Sequence, residues 1–126
     1  MRGKTSRLIP LAFFLATAVT ATHADERMSM KVSPVQALAP VNLRVRVQVE
    51  PYADNRVLTI VADSPAFYRS SQIQLEGDRA PRTFTIEYPS VPGGQYEITS
   101  VLVNSMGRER ATIRQTARVI PVGGEP

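Results

Sequence analysis

The chain has 126 residues, with 15 Lys and Arg against 11 Asp and Glu, no Cys, no Trp and one His. This length is typical of a single domain, and ten Pro with seven Gly indicate a chain that turns often. The absence of Cys excludes disulfides, thiol nucleophiles and thiolate metal sites. Because the only imidazole is that of His23, Ser–His and Cys–His nucleophile pairs are excluded from the rest of the chain.

The first 24 residues have the pattern of a secretory signal peptide. Met1–Arg7 carries three positive charges and no acid, and the apolar run Leu8–Val19 follows it. As a helix this run would span about 18 Å, less than the roughly 30 Å hydrocarbon core of a bilayer, so a membrane anchor is not expected. Small residues permit cleavage after Ala21 or before Asp25, and we expect the later site.

Removal of residues 1–24 leaves one domain over residues 25–126, with 12 basic and 11 acidic residues. A charge balance near +1 makes nucleic acid an unsuitable partner for this domain. No later apolar run is long enough to span a bilayer, so we expect no stable membrane insertion after cleavage. The sequence therefore predicts a periplasmic or secreted domain whose core is stable without disulfides.

Alternation of apolar and polar residues dominates this domain. In Val41–Val49 every odd position is apolar and every even position is polar, which predicts a strand with one buried face. Arg56–Ala62 is apolar on both faces, as expected of a central strand. Similar segments separated by turns are Met28–Val32, Tyr68–Glu76, Thr83–Tyr88, Gln95–Asn104 and Ala111–Val122. About seven strands with frequent turns predict an all-β antiparallel sandwich, with an irregular turn over Val35–Pro40 and a bulge near Gln115.

A corner motif lies before the sixth predicted strand. It consists of Pro92, Gly93, Gly94 and, after Gln95, Tyr96, and it leads into an alternating segment. This run resembles the corner before the sixth strand of fibronectin type III and other immunoglobulin-like domains. The resemblance implies an immunoglobulin-like β-sandwich in which the Tyr96 ring fills the bottom of the core and its hydroxyl bonds the corner backbone. Because such sandwiches host many unrelated activities, the resemblance by itself assigns no function.

Carboxylates are the remaining candidates for catalysis. Two acids of unequal pKa can hydrolyse glycosides, so a carboxylate pair is the form that an active site would take here. The acids fall in loops or at strand ends, a distribution typical of solvated residues: Glu50, Asp54, Asp63, Glu76 and Asp78. We therefore predict a domain that is not an enzyme and has no cofactor.

Two metal sites are alternatives. Met28 and Met30 lie on one side of the first strand, where two thioethers could bind Cu(I), although same-face Met residues commonly fill cores. The loops around Glu50, Asp54 and Asp63 could offer oxygen ligands to Ca²⁺, but the spacing of an EF-hand is absent. We predict no metal site and retain a small periplasmic metal or ligand carrier as the alternative function.

The basic residues of the domain are mostly arginine. Arg44 and Arg46 share the polar face of one strand, and we expect cross-strand pairs with the strand that carries Glu87. The alternative is a sheet face that binds anions or polysaccharides. A sugar-binding module is a further hypothesis, and its aromatic platform would have to come from a cluster of Tyr52, Phe67 and Tyr68.

Apolar residues also occupy strand positions that should face solvent. In two strands whose inward positions are filled by other apolar residues, the outward positions hold Val57, Val61, Val101 and Val103. These strands are neighbours in an immunoglobulin-like sandwich, so the four valines would form one exposed stripe, which is typical of a partner surface. The sequence therefore predicts an exported, non-enzymatic interaction module. It would be an adaptor, assembly or adhesion component that binds an unknown protein partner through this face or through the end loops.

Overall fold

The computed structural model describes residues 22–24 and 27–122. The predicted signal segment up to residue 21 and the predicted cleavage residue Asp25 lie outside the described residues. The boundary before Asp25 therefore stays a prediction. Within the described ranges no helix is long and apolar enough to cross a bilayer, and the single helical turn there is Gly77–Arg79.

Two packed sheets make up the fold, built in the described part of the chain from nine strands. In chain order these are β1 (Thr22–Ala24), β2 (Met28–Ser33), β3 (Gln36–Leu38), β4 (Val41–Val49), β5 (Asn55–Ser64), β6 (Phe67–Gln74), β7 (Thr83–Val91), β8 (Gly94–Asn104) and β9 (Glu109–Ile120). One sheet has the order β1-β2-β4-β7 and the other the order β3-β9-β8-β5-β6. Neighbouring strands are antiparallel except β3 and β9, which are parallel. The predicted all-β sandwich is confirmed.

The core lies between the two sheets and follows the predicted alternation. Leu43, Val45 and Val47 of β4 are fully buried, while the residues between them are exposed. On the facing sheet Leu58 and Ile60 of β5 are also fully buried. Burial of such a side chain stabilises a fold by about 1.5–3 kcal/mol, so these rows hold the sheets together without disulfides.

A corner closes the end of the sandwich between β7 and β8. The Tyr96 side chain is fully buried, and its hydroxyl donates a hydrogen bond to the Pro92 carbonyl oxygen at 2.7 Å. The Phe67 ring packs edge-on against the Tyr96 ring, with 5.8 Å between the centroids. At Gly93 a Cβ would lie 2.9 Å from Pro121 Cγ, so the two segments approach too closely for a side chain. These contacts fix the path of the chain from β7 into β8.

The bulge predicted at Gln115 is not there, and that prediction is wrong. Buried residues alternate without interruption along β9, and Gln115 is one of them. The register shift lies earlier, where Leu102 pairs with Ala111 but Val103 pairs with Glu109, so Arg110 is the extra residue of β9. Because Gln115 is polar but buried, the sequence shows an apparent break in the alternation of apolar and polar residues. That break led to the predicted bulge.

Two strands, β1 and β3, have only three residues each and do not appear among the predicted strands. The sequence predicts an irregular turn over residues 35–40, but β3 lies within it and pairs in parallel with residues 118–120 of β9. A segment of three residues is too short to show alternation. Pairing with a longer strand therefore makes these two segments extended.

Candidate functional site

A buried asparagine organises the end of the sandwich where β4 leads into β5. Asn55 is 1% exposed and is the first residue of β5. Its side-chain amide donates a hydrogen bond to the Glu50 carbonyl oxygen at 3.1 Å, and its backbone N–H donates one to the Tyr52 carbonyl oxygen at 3.1 Å. Its side-chain oxygen accepts a hydrogen bond from Arg110 Nη1 at 2.7 Å. Asn55 therefore joins the 50–54 loop to β9.

Arg110 is held at a fixed position by two contacts. The register shift between β8 and β9 makes it a bulge residue, and bulges commonly redirect a side chain beside a functional site. Its guanidinium carbon lies 3.9 Å from the centroid of the Tyr52 ring, a cation–π contact. Together with the hydrogen bond to Asn55, this contact orients the guanidinium across the end of the sandwich.

Two adjoining cavities open beside this cluster. The larger has a volume of about 370 Å³ and the smaller a volume of about 230 Å³. Both are lined by Arg27, Glu50 and Pro51, so they form one cleft, which we call the arginine cleft. Its lining residues are Arg27, Met28, Ser29, Gln48, Val49, Glu50, Pro51, Tyr52, Arg82 and Arg110.

Among the described residues, the charged groups that line the arginine cleft are three guanidinium groups and one carboxylate, those of Arg27, Arg82, Arg110 and Glu50. The backbone positions two of these arginines: the Glu50 N–H donates to the Arg27 carbonyl oxygen at 2.9 Å, and the Val49 N–H donates to the Arg82 carbonyl oxygen at 2.8 Å. Because a guanidinium group is a cation, the described part of the lining carries an excess of positive charge. A concave surface of this kind favours an anion.

The loop that carries Tyr52 is braced from behind. Arg56 Nη1 donates hydrogen bonds to the carbonyl oxygens of Ala53, at 2.8 Å, and of Asn55, at 2.9 Å. Gly77 packs on the same loop with φ of 61°, and a Cβ at Gly77 would lie 2.6 Å from the Ala53 oxygen. These contacts hold the 50–54 loop in one conformation at the edge of the arginine cleft.

The acidic loops do not converge on a calcium site. The Ser105 N–H donates a hydrogen bond to Asp54 Oδ1 at 3.4 Å, and hydrogen bonding from Ser105 lowers the pKa of the Asp54 carboxyl below 3.8. Asp63 lies near the other end of β5, roughly 30 Å away along an extended strand. Within residues 22–24 and 27–122 no three carboxylate, imidazole or thiol groups come together. The calcium alternative is therefore wrong for this part of the chain.

The two methionines that suggested Cu(I) are core residues. Met28 is 2% exposed and Met30 is 1% exposed. The Met30 sulfur accepts a hydrogen bond from Ser100 Oγ at 3.0 Å, a contact made inside the sandwich. Buried thioethers of this kind fill the core and do not present an open metal site. The copper alternative is therefore wrong as well.

The four valines predicted as a partner face share the outer surface of β5 and β8. Val57 lies directly opposite Val103, whereas Val61 and Val101 each lie opposite a threonine. All four side chains are half-buried. The surface is a mixture of valine and threonine, both of which are favoured on strand surfaces for their branched shape alone.

The paired arginines of β4 lie on the outer face of the other sheet. Arg44 lies opposite Glu87, and Arg44 Nη2 is 3.6 Å from Glu87 Oε2. Both side chains are about half exposed, so the ion pair contributes on the order of 0.2–1 kcal/mol. Arg46 lies opposite Thr85, in the same register. The outer face of β4 and β7 is therefore a solvent-exposed surface with a cross-strand ion pair.

The aromatic residues that a sugar-binding module would need do not cluster. Tyr52 lies in the loop before β5, whereas Phe67 and Tyr68 pair with the last residues of β5. These positions are roughly 30 Å apart along the strand. The Phe67 ring also packs against buried Tyr96, so it does not face a ligand. The sugar-binding hypothesis therefore has no platform in the structure.

Sequence reasoning missed three arginines that line the cleft, Arg27, Arg82 and Arg110, and the residue that positions one of them, Asn55. Each arginine lies beside the start of a strand, at β2, β7 and β9 respectively, and Asn55 begins β5. The strand order places all four starts at the same end of the sandwich. The positions were visible in the sequence, but their convergence depends on the strand order.

No protein-family model matches the chain, and no curated protein sequence matches it. Solved structures do share its fold. A superoxide reductase (neelaredoxin) from Ignicoccus hospitalis is 17% identical, with a TM-score of 0.54, over 78% of this chain and 81% of that chain. The PmoD soluble domain from Methylocystis sp. is 12% identical, with a TM-score of 0.51, over 79% of this chain and 96% of that chain. A family 76 glycoside hydrolase from a bovine Bacteroides thetaiotaomicron strain is 15% identical, with a TM-score of 0.51, over 72% of this chain and 20% of that chain.

These matches contradict the predicted function. The prediction of an exported, non-enzymatic interaction module rested on the stripe of outward-facing valines, whereas the solved structures with this fold include superoxide reductases. At 17% identity the likeness shows the fold and transfers no activity. The described residues also do not fit a redox metal, because they contain no cluster of three donor side chains of the carboxylate, imidazole or thiol type. The comparisons thus establish an all-β fold on which proteins of several kinds are built.

Proposed function

We propose that the arginine cleft binds a small anionic molecule through a carboxylate, phosphate or sulfate group. The observation that carries the proposal is the Arg110 guanidinium, which is stacked on Tyr52 and hydrogen-bonded to Asn55 in a cleft that Arg82 also lines. Planar guanidinium groups bind such anions with two parallel hydrogen bonds. An arginine that is already oriented loses little rotamer freedom when the anion binds.

The size of the cleft favours a molecule of metabolite size. Its larger cavity, of about 370 Å³, lies in the range of roughly 300–1,000 Å³ that is typical of small-molecule sites. Tyr52 is 49% exposed at the edge of the smaller cavity. The exposed part of this ring offers an apolar contact to the body of a ligand whose anionic group meets the arginines.

We propose that the cleft binds this ligand without converting it. Among the described residues its lining offers one carboxylate, from Glu50, and one aliphatic hydroxyl, from Ser29. The described lining residues include neither an imidazole nor a thiol, so none of them could serve as an imidazole base for the hydroxyl. A single carboxylate also falls short of the pair that glycoside hydrolysis requires.

For the fold and location we propose an immunoglobulin-like sandwich in an exported protein. The fold proposal is supported by the hydrogen bond from the buried Tyr96 hydroxyl to the Pro92 carbonyl oxygen, which is characteristic of the corner in those domains. The proposal of export is supported by the basic and apolar pattern of the first 21 residues.

Isothermal titration calorimetry with inorganic phosphate, citrate and uncharged glucose tests the binding proposal. We expect the anions to bind and glucose not to bind, with an anion affinity that falls as NaCl is added, because salt screens the arginines. At 100 times its dissociation constant a bound anion should raise the free energy of unfolding by about 2.7 kcal/mol. If neither anion binds at low salt, the proposal is wrong.

Two arginine variants give a matched comparison. Arg82→Gln removes one cation from the cleft and should weaken anion binding about tenfold or more, since a hydrogen bond to a charged group contributes about 1.5–3 kcal/mol. Arg44→Gln removes a cation from the outer face of the sheet that contains β4 and β7, outside the cleft, and should leave the anion affinity unchanged. Equal losses in both variants would show that the anions respond to net charge and not to the cleft.

A further inference from the structure

The first described strand bears on where the predicted signal peptide is removed. Thr22–Ala24 forms β1, which pairs antiparallel with β2 so that Thr22 lies opposite Lys31 and Ala24 lies opposite Ser29. In its sheet β1 is the outer strand and β2 lies between β1 and β4. Residues that the sequence assigns to the end of a leader are therefore part of the sandwich.

The two cleavage sites have different consequences for this sheet. Cleavage before Asp25 removes all three residues of β1 and makes β2 an edge strand. The backbone groups of β2 that pair with β1 would then form an uncovered sheet edge, to which another chain can pair. Cleavage after Ala21 ends the leader one residue before β1 begins, and it leaves the sheet complete.

The two sites also differ in where their recognition residues lie relative to β1. A signal peptidase recognises small residues at the −3 and −1 positions. For cleavage before Asp25 these positions are Thr22 and Ala24, and both are paired with β2. For cleavage after Ala21 they are Val19 and Ala21, both of which precede the strand. The later site therefore has both of its recognition residues inside β1, and the earlier site has neither of them there.

We propose that the chain is cleaved between Ala21 and Thr22, in place of the site that the sequence alone favours. A signal peptidase adds water across this peptide bond: the new carboxylate stays on Ala21, and the new amino group belongs to Thr22. The mature chain begins with β1 and keeps His23, the only imidazole in the sequence. This inference rests on the proposed export of the protein and is independent of the anion-binding proposal.

N-terminal sequencing and intact-mass measurement of the exported protein test the inference. The full chain is expressed in a bacterium, and the protein is collected from the periplasm and the medium. We expect Thr22 as the first residue of the product. A product that begins at Asp25, or a chain that retains its leader, overturns the inference.

Two substitutions separate the sites within the same experiment. Ala21→Leu places a large residue at the −1 position of the earlier site, so the product that begins at Thr22 should disappear. Ala24→Leu makes the same change at the −1 position of the later site, and the product should still begin at Thr22. Loss of processing with Ala24→Leu and normal processing with Ala21→Leu would be the opposite result and would overturn the inference.

Hydrogen exchange gives a readout that does not depend on the peptidase. Two purified chains are compared, one that begins at Thr22 and one that begins at Asp25. The β2 amides should exchange more slowly in the longer chain, because β1 covers that edge of the sheet. Equal protection in the two chains would remove the structural basis of the inference.

Discussion

At the residue scale, Asn55 shows how one buried polar side chain positions a site. Its side-chain amide donates a hydrogen bond to the Glu50 carbonyl oxygen in the loop. Its side-chain oxygen accepts a hydrogen bond from the Arg110 guanidinium on β9. A buried amide is stable only when such partners are present. The orientation of the proposed anion ligand therefore depends on a residue that does not line the cleft.

Replacement of this residue is expected to affect stability and binding together. Asn55→Ala should lower the free energy of unfolding by about 1–3 kcal/mol, because buried partners lose their hydrogen bonds. It should also weaken anion binding, because Arg110 is no longer held over Tyr52. Urea unfolding and calorimetric titration measure the two effects.

Asn42→Ala is the matched control for this variant. The Asn42 side chain accepts a hydrogen bond from the Ser90 N–H at 2.8 Å, but this contact is exposed. Asn42→Ala should lower the free energy of unfolding by less than Asn55→Ala does, and it should leave the anion affinity unchanged. A normal affinity in Asn55→Ala would contradict the positioning role of Asn55.

The core residues could be predicted from the sequence, whereas the residues of the arginine cleft could not. The alternation in β4 identifies Leu43, Val45 and Val47 as core residues, since a strand repeats every two residues. The contact between Asn55 and Arg110 joins positions 55 residues apart, and no local pattern indicates it. Asn55 instead has the appearance of an ordinary turn residue after Asp54.

At the element scale, β9 shows where a reading based on polarity fails. Its buried face runs through Ala111, Ile113, Gln115, Ala117 and Val119 without a break. The side-chain oxygen of Gln115 is buried and has no hydrogen-bond partner within the described residues. A buried carbonyl oxygen without a partner lowers the stability of the core, because it has lost its hydrogen bonds to water.

Gln115→Met should therefore stabilise the fold. The change keeps a long unbranched side chain and removes the unpaired carbonyl oxygen, so we expect the free energy of unfolding to rise by about 1 kcal/mol. Gln95→Met, at an exposed position of β8, should change it by less than about 0.5 kcal/mol. Destabilisation by Gln115→Met in chemical unfolding would indicate that the Gln115 amide makes a contact the core requires.

At the scale of the whole molecule, the two ends of the sandwich differ in chemistry. One end carries the arginine cleft, whose lining includes the Arg110 guanidinium that Asn55 and Tyr52 hold in place. The other end is closed by the corner, where the Tyr96 hydroxyl bonds the Pro92 carbonyl oxygen and Gly93 packs on Pro121. The strands between the two ends supply the stability that holds the cleft in shape, so the proposed ligand meets a preformed site.

The two buried tyrosines make this stability sensitive to alkaline pH. Tyr88 and Tyr96 are 2% and 0% exposed, and burial raises the pKa of each phenol above 10.0. In the unfolded chain both phenols lose their protons near pH 10, while the folded chain still holds them. Their contribution to the free energy of unfolding is therefore complete below pH 10 and falls as the pH rises toward the folded-state pKa values.

Chemical unfolding measured from pH 9 to pH 11.5 tests this dependence. The wild-type free energy of unfolding should decline above pH 10, and Tyr88→Phe and Tyr96→Phe should each make the decline shallower, because each removes one titrating group. Tyr96→Phe should also cost about 0.5–1.5 kcal/mol at neutral pH through the lost hydrogen bond to Pro92. An unchanged slope in both variants would mean that the alkaline loss of stability arises outside the core that these rings fill.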